Sequence, residues 1–150
     1  MRIRLESPDQ SDVLTLLEQL DRYQRPLYPE DSFHGIDTLA LSQSNVLFAV
    51  ARTDEGAAVG CGAIVLRPEH GEIKRMFVSP SVRGQEVGKQ LLAFLEDKAS
   101  AEGCVRFVLE TGHLQTEALS LYLRSGYTRC GPFGPYSDDP NSVFMCKEAP

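Results

Sequence analysis

Seven consecutive residues, Arg83 to Lys89, carry the plainest chemical signal in the chain. They join a strand-like run, Gly71 to Val78, to a helical one that starts at Val87. A helix opening from such a loop presents backbone N–H groups without intrahelical partners, at the positive end of its dipole. That end suits a phosphate. Arg83 and Lys89 add positive charge, and Gly84 and Gly88 let the backbone approach a ligand closely. Gln85, Glu86 and Val87 complete the loop. Glu86 works against the others, because a carboxylate here repels a pyrophosphate. If its position demands a glycine-like torsion, the strain is of order 1 kcal/mol.

Two carboxylates and an imidazole are the candidate proton carriers. Glu72 lies early on the Gly71–Val78 run. Strand alternation would put it on one face with Lys74 and Met76. A plain Glu72–Lys74 ion pair at a solvated end is the competing reading. Glu110 closes the next strand-like run, Val105 to Glu110, and open α/β sites lie at such strand ends. His113 follows in a loop, where its ordinary pKa suits a proton relay.

The elements that must position these groups are legible from periodicity. Ile3 to Glu6 reads as a strand, and Ser7-Pro8-Asp9 as the start of a helix whose inward face is Val13, Leu16, Leu17 and Leu20. A proline-broken aromatic stretch follows from Tyr23 to Phe33, then a weak helix from Ile36 to Leu41. Val46–Ala51 and Val59–Leu66 form a hairpin around Thr53-Asp54-Glu55-Gly56, and with Gly71–Val78 an antiparallel meander. Val87, Leu91, Phe94, Leu95 and Ala99 mark a long helix stopped by Gly103. Val105–Glu110 then runs parallel to Gly71–Val78 through that helical crossover. Gln115–Ser125 is a short helix ended by Gly126, and Tyr127–Cys130 and Val143–Lys147 are the last strands, separated by a turn-dense loop.

This order, β-α-α-β-β-β-α-β-α-β-β, with the Arg83-to-Gly88 segment directly after a strand, resembles the GNAT superfamily of acetyl-CoA-dependent N-acetyltransferases. Ala118-Leu119-Ser120-Leu121-Tyr122, followed by Gly126-Tyr127, is similar to that family's A-x-x-L-Y-x-x-x-G-F/Y segment. Glu110-Thr111-Gly112 and Pro132-Phe133-Gly134-Pro135-Tyr136 look like a bacterial small-molecule subset. Arg83 and Gly88 match the ends of the family's phosphate-loop pattern, whereas Glu86 replaces its middle glycine.

The resemblance implies an α/β (α+β) fold. Its centre is a mixed, mostly antiparallel sheet of about seven strands, with helices on both faces. It implies acetyl-CoA as co-substrate, no metal, and direct transfer to a primary amine. By resemblance, Phe77 and Val78 contact the donor's pantetheine arm through their backbone. Gln115, standing where relatives often carry asparagine, helps to hold the donor. Tyr122 protonates the departing thiolate, a phenol with pKa near 10 serving a thiol near 8.5. Glu72 is then the first candidate base and Glu110 the second, because a free alkylamine is cationic at neutral pH. The acceptor pocket falls to the two irregular loops, with Tyr28 and Phe33 on one side, Phe133 and Tyr136 on the other, and His113 nearby. A CoA-binding regulator without turnover and a protein or peptide acetyltransferase are the alternatives. The family also makes a homodimer an open expectation.

Composition bounds these readings. At 150 residues the chain is expected to form one domain spanning its whole length. A net charge of −6 excludes a general nucleic-acid binder and leans towards cationic partners such as amines. Four widely spaced cysteines read as buried thiols rather than a metal set or disulfide framework. No stretch approaches the roughly 18 apolar residues of a membrane helix, and the N-terminus lacks an apolar signal core. The expected setting is cytoplasmic, away from membranes.

Overall fold

The computed structural model describes residues 1–27 and 37–150. Strand β1 (Arg2–Leu5) leads into helix α1 (Ser11–Gln24), a 3-10 turn at Arg25–Leu27 and a short helix α2 (Thr38–Leu41). Strands β2 (Val46–Arg52), β3 (Ala58–Leu66) and β4 (Gly71–Val78) follow. A 3-10 turn at Pro80–Val82 delivers the chain to α3 (Val87–Ala101), and then come β5 (Arg106–Gly112), α4 (Thr116–Arg124), β6 (Thr128–Arg129) and β7 (Ser142–Glu148). The strands form one seven-stranded sheet in the order β1-β2-β3-β4-β5-β7-β6. Every neighbouring pair is antiparallel except β4 with β5, which is parallel as the crossover helix requires.

Helices cover both faces, because the central strands carry apolar residues on both. On one face Val13, Leu16, Leu17 and Leu20 of α1 meet Phe48, Val50, Cys61, Ala63 and Phe77. On the other, Leu91, Leu92, Leu95 and Ala99 of α3 meet Ala49, Ile64, Ile73, Phe107 and Leu109, and α4 adds Tyr122. Helix α1 starts later than Ser7-Pro8-Asp9 would place it. Its first capping residue is Gln10, which makes no side-chain cap, while the Ser7 hydroxyl accepts from the Asp9 N–H at 3.1 Å in a preceding turn. Strand β6 is shorter than expected. Tyr127 is drawn into the core, although the Cys130 N–H still donates to the Phe144 carbonyl at 2.9 Å.

Strand β4 departs from simple alternation, and the site depends on that departure. Cys61 pairs with Phe77 but Ala63 pairs with Lys74, so Met76 and Arg75 together oppose Gly62. This is a β-bulge, with Arg75 in the left-handed region at φ 58°. Arg75 turns towards α1, where its guanidinium donates to Asp21 at 2.7 Å and to the Leu17 carbonyl at 3.3 Å. Met76 is thereby rotated to the α3 side, over Gly62, where a Cβ would lie 2.2 Å from its Sδ. The expectation that Glu72, Lys74 and Met76 share a face is corrected: the bulge separates Met76 from the other two. Past Ile73, β4 and β5 also part, since their pairing covers only Gly71–Ile73 with Phe107–Leu109.

Candidate active site

Where β4 and β5 separate, a cleft of about 530 Å³ opens. Its wall includes Leu20 and Tyr23 of α1 on one face of the sheet and Leu121 and Tyr122 of α4 on the other, with Met76, Phe77 and Val78 between them. The cleft therefore crosses the sheet. Its other end is the loop ahead of α3, through Arg83, Gly84, Glu86, Val87, Gly88 and Lys89. Gln85 is the one residue of the expected cradle outside this lining, and its N–H turns back to the Val82 carbonyl at 3.3 Å.

The cradle has the local geometry that a phosphate site needs. The Glu86 side chain makes no cap on α3, and the first-turn N–H groups at Val87, Gly88 and Lys89 have no intrahelical partners. Gly84 takes φ 88°, open to any approach. Gly88 has a different reason from the one expected. A Cβ there would lie 3.1 Å from Leu121 Cδ2 and 3.5 Å from Val78 Cγ2, so glycine lets α3 seat against α4 and β4. Glu86 adopts the torsion that its replaced glycine would supply, φ 62° and ψ 22°. Its carboxylate is turned to Arg124 at 3.5 Å, each side chain 53% exposed. Arg83 is held by a similarly exposed contact with Glu117 at 3.4 Å. Exposed pairs of this kind are weak, so both guanidiniums can be recruited by a stronger anion.

Tyr122 is buried, lines the cleft and stacks edge-on to Tyr127 at 5.9 Å between ring centres. Tyr127 is fixed in turn by donating to Glu96 at 2.7 Å, and Lys147 holds the second oxygen of Glu96 at 2.8 Å. Gln115 begins α4 from a buried position in the cleft wall, where its Oε1 lies 3.4 Å from the Gln24 amide of α1.

A second cluster occupies the α1 side of the sheet. Glu72 is not at a solvated end, being only 2% exposed. One of its oxygens accepts from the Tyr136 hydroxyl at 2.6 Å and meets the Lys74 ammonium at 3.3 Å; the other meets Arg67 at 3.3 Å. Lys74 also donates to the Tyr136 oxygen at 2.6 Å. Burial first, then the hydrogen bond and charge of Glu72, hold the Tyr136 phenol well above its usual range. Phe133 stands edge-on to His70, Tyr136 and Phe144 at 5.3, 5.2 and 5.7 Å. Glu110 pairs in register with Phe144 and accepts from the Ser142 hydroxyl at 2.7 Å. His113 is exposed, its Nδ1 3.2 Å from the Asn141 carbonyl, which places it at the foot of the 131–141 loop. Burial lowers the His70 pKa, against the opposing charges of Glu72 and Glu69.

The structure thus gathers Tyr122, Gln115, Phe77, Val78 and most of the cradle into the cleft. It gathers Glu72, Tyr136, Phe133 and Glu110 into a neighbouring cluster on the α1 face. Tyr28 and Phe33 lie outside the described residues. Sequence reasoning missed Arg124 and Met76 in the cleft and Arg67 beside Glu72, while the Glu72–Lys74 pair it named does form, buried rather than solvated. An arginine in the last turn of a helix reads as ordinary dipole complement, so Arg124 gave no distinct signal. Among the described residues, no group of three or more His, Cys, Asp or Glu side chains is placed to hold a metal ion, and no helix is long and apolar enough to cross a membrane.

Comparison with known proteins bears on this geometry. Residues 12–127 match the model of the acetyltransferase (GNAT) family. An IAA acetyltransferase of Azospirillum brasilense is 47% identical over 97% of this chain and 95% of its own length. The uncharacterized N-acetyltransferase YsnE of Bacillus subtilis is 34% identical over 99% of both chains. Among solved structures, a putative acyl-CoA N-acyltransferase from Klebsiella pneumoniae superposes with a TM-score of 0.85 at 38% identity, covering 99% of this chain and 97% of the other.

Proposed function

The chain belongs to the acetyltransferase (GNAT) family, and from that premise we propose that it moves an acetyl group from acetyl-CoA to a primary amine of a small molecule, by direct attack within a ternary complex. The observation that carries this reading is the cleft that crosses the sheet at the β4–β5 parting, with an uncapped helix start at one end and Tyr122 in its wall.

The first-turn N–H groups of α3, with Arg83, Lys89 and a released Arg124, hold the donor's pyrophosphate. Among the described residues, the β5-facing edge of β4 has no strand partner past Ile73, and Phe77 and Val78 offer backbone groups there to the pantetheine arm and the thioester carbonyl. A preorganised main-chain donor at that point stabilises the oxyanion. Tyr122 donates its proton to the departing thiolate. Glu72 takes the amine proton, with the Tyr136 hydroxyl as the relay that already links it to Lys74. Glu110 is the second carboxylate on that face.

Titration calorimetry with acetyl-CoA at two salt concentrations tests donor binding. The expected result is micromolar, salt-sensitive affinity. Thiol release is then followed with a panel of amines and with IAA, the compound named for the Azospirillum relative. Turnover with amines supports the proposal. Binding without turnover on any acceptor refutes it in favour of a CoA-binding regulator, and no binding at millimolar donor refutes both.

A further inference from the structure

Two of the four thiols are neighbours. Cys146 stands opposite Thr128 in the β6–β7 register, and the Cys130 N–H donates to the Phe144 carbonyl, which puts Cys130 opposite Phe144. Cys130 and Cys146 are therefore diagonal to one another on a single face of the ribbon. Each is partly exposed, and the proximity of Cys146 adds to the burial that raises the Cys130 pKa. The other two cysteines are placed differently: Cys61 is fully buried among the α1-side residues, and Cys104 lies against the α3-side core with its thiol on the Arg106 carbonyl at 3.3 Å. Cys130 is also the last residue before the 131–141 loop, whose Phe133 and Tyr136 close over His70, Phe144 and Glu72.

We propose that Cys130 and Cys146 form a thiol–disulfide switch, closed by exchange with a low-molecular-weight disulfide, that resets the loop carrying Phe133 and Tyr136. In the first step one thiolate attacks the small disulfide, forming a mixed disulfide and releasing one thiol. The second cysteine, losing its proton, then attacks the protein-side sulfur of that mixed disulfide. The Cys130–Cys146 bond forms and a second small thiol leaves. Two electrons pass from the protein to the small disulfide, and the two protein protons end on the two released thiols.

The register says what closure does. Diagonal neighbours on antiparallel strands have Cα atoms roughly 7–8 Å apart, whereas a relaxed disulfide spans about 4.4–6.8 Å. Closing the bond draws the end of β6 towards β7 by roughly 1 Å. Strand β6 yields, because it is a two-residue edge strand paired on one side only. The shift passes into the loop that begins at the bridged residue and reaches the Tyr136–Glu72 contact. A bridge closed under such strain is readily reopened by reduction. Burial, then the contact with Cys146, pushes the Cys130 thiol up to about 11.

The test incubates the full chain with oxidised and reduced glutathione across a range of ratios, then blocks free thiols and maps them by mass spectrometry. The expected product loses two thiols, carries no glutathione, links the Cys130 and Cys146 peptides, and reverts with dithiothreitol. Cys130→Ser is expected to stop at a glutathione adduct on Cys146. Adducts without a bridge in the unsubstituted chain, a bridge to Cys104, or no thiol consumed at full oxidation would each overturn the proposal. The loop movement is read from tyrosine fluorescence and near-ultraviolet circular dichroism, free of indole signal because the chain has no tryptophan, with Tyr136→Phe as the reference. A bridge that leaves the tyrosine signal unchanged refutes the coupling to the loop. The activity arm rests on the acetyl-transfer reading and expects a roughly tenfold or larger reversible loss of turnover. The thiol and tyrosine arms do not depend on that reading, so the two fail separately.

Discussion

Replacing Glu86 by glycine changes two things at once, and both can be estimated. The carboxylate leaves the mouth of the cradle, and the backbone keeps φ 62° with no Cβ to oppose it. A unit charge roughly 8 Å from a pyrophosphate bearing about two charges contributes about 1 kcal/mol in water, cut to about 0.4 kcal/mol by physiological salt. Arg124, released from its 3.5 Å contact, adds a similar favourable amount. Together they give about 0.8 kcal/mol, or about fourfold tighter donor binding. The torsional relief is about 1–2 kcal/mol. It is offset by about 0.4–1 kcal/mol of added freedom in the unfolded chain and by the few tenths of an exposed ion pair. A net gain of about 0.5 kcal/mol raises Tm by about 1–2 °C for a chain of this size. Calorimetry with acetyl-CoA and thermal unfolding of Glu86→Gly and Glu86→Ala separate the two effects. The alanine variant keeps the strain, so it should share the tighter binding without the gain in Tm. Donor affinity that is unchanged or weaker in both variants would refute the assignment of Glu86 as an electrostatic obstacle at the cradle.

Three further outcomes are expected. Tyr122→Phe should lower kcat by about 10² or more while leaving donor Kd within about twofold, because the hydroxyl acts on the leaving thiolate; turnover unchanged across pH would remove it as the acid. Glu72→Gln leaves Lys74 and Arg67 facing a neutral amide, and the loss of a buried counter-charge should cost about 3 kcal/mol on thermal unfolding, together with most of the turnover; a stable variant with an unchanged pH–rate profile would move the base elsewhere. His70 is held neutral by burial below its unperturbed 6.5, with Glu72, Glu69, Arg67 and Arg106 as the charges acting on it. Its folded pKa is depressed, so its contribution to stability is complete above about 6.5 and is lost as pH falls through the folded value. His70→Asn should flatten the stability profile just below pH 6.5 in denaturant titrations, and an unchanged slope would count against that account.

The regular features of the chain were open to sequence reasoning because each is local. Val13, Leu16, Leu17 and Leu20 declare the buried face of α1 by spacing alone, and the span of β4 follows from its apolar content and the Ser79-Pro80-Ser81 turn. The bulge was not legible. Nothing in the identity of Arg75 distinguishes a left-handed arginine from an extended one, and its anchors, Asp21 and the Leu17 carbonyl, lie more than fifty residues away. The setting of Glu72 was half legible. Its pairing with Lys74 follows from alternation, but its burial depends on Tyr136, which arrives 64 residues later from an irregular loop. Gly88 shows the reverse case: the residue was noticed, and its reason, contact with Leu121, waited on the packing of two helices.

The short ladder between β4 and β5 also makes the sheet two plates rather than one. Strands β1 to β4 form the first plate and β5, β7 and β6 the second, joined by three register pairs. The α1 cluster belongs wholly to the first plate, whereas the α3 cluster bridges both through Ile73, Phe107, Leu109 and Met145. Cohesion between the plates therefore resides in the helical layer over one face and, on the other, in the contacts of Phe133 and Tyr136 with His70, Glu72 and Lys74, and scarcely in backbone bonding. In native-state hydrogen exchange the second plate should open as a unit at lower free energy than the first. A ligand lying along the gap would act as a suture, raising protection on both sides of it at once.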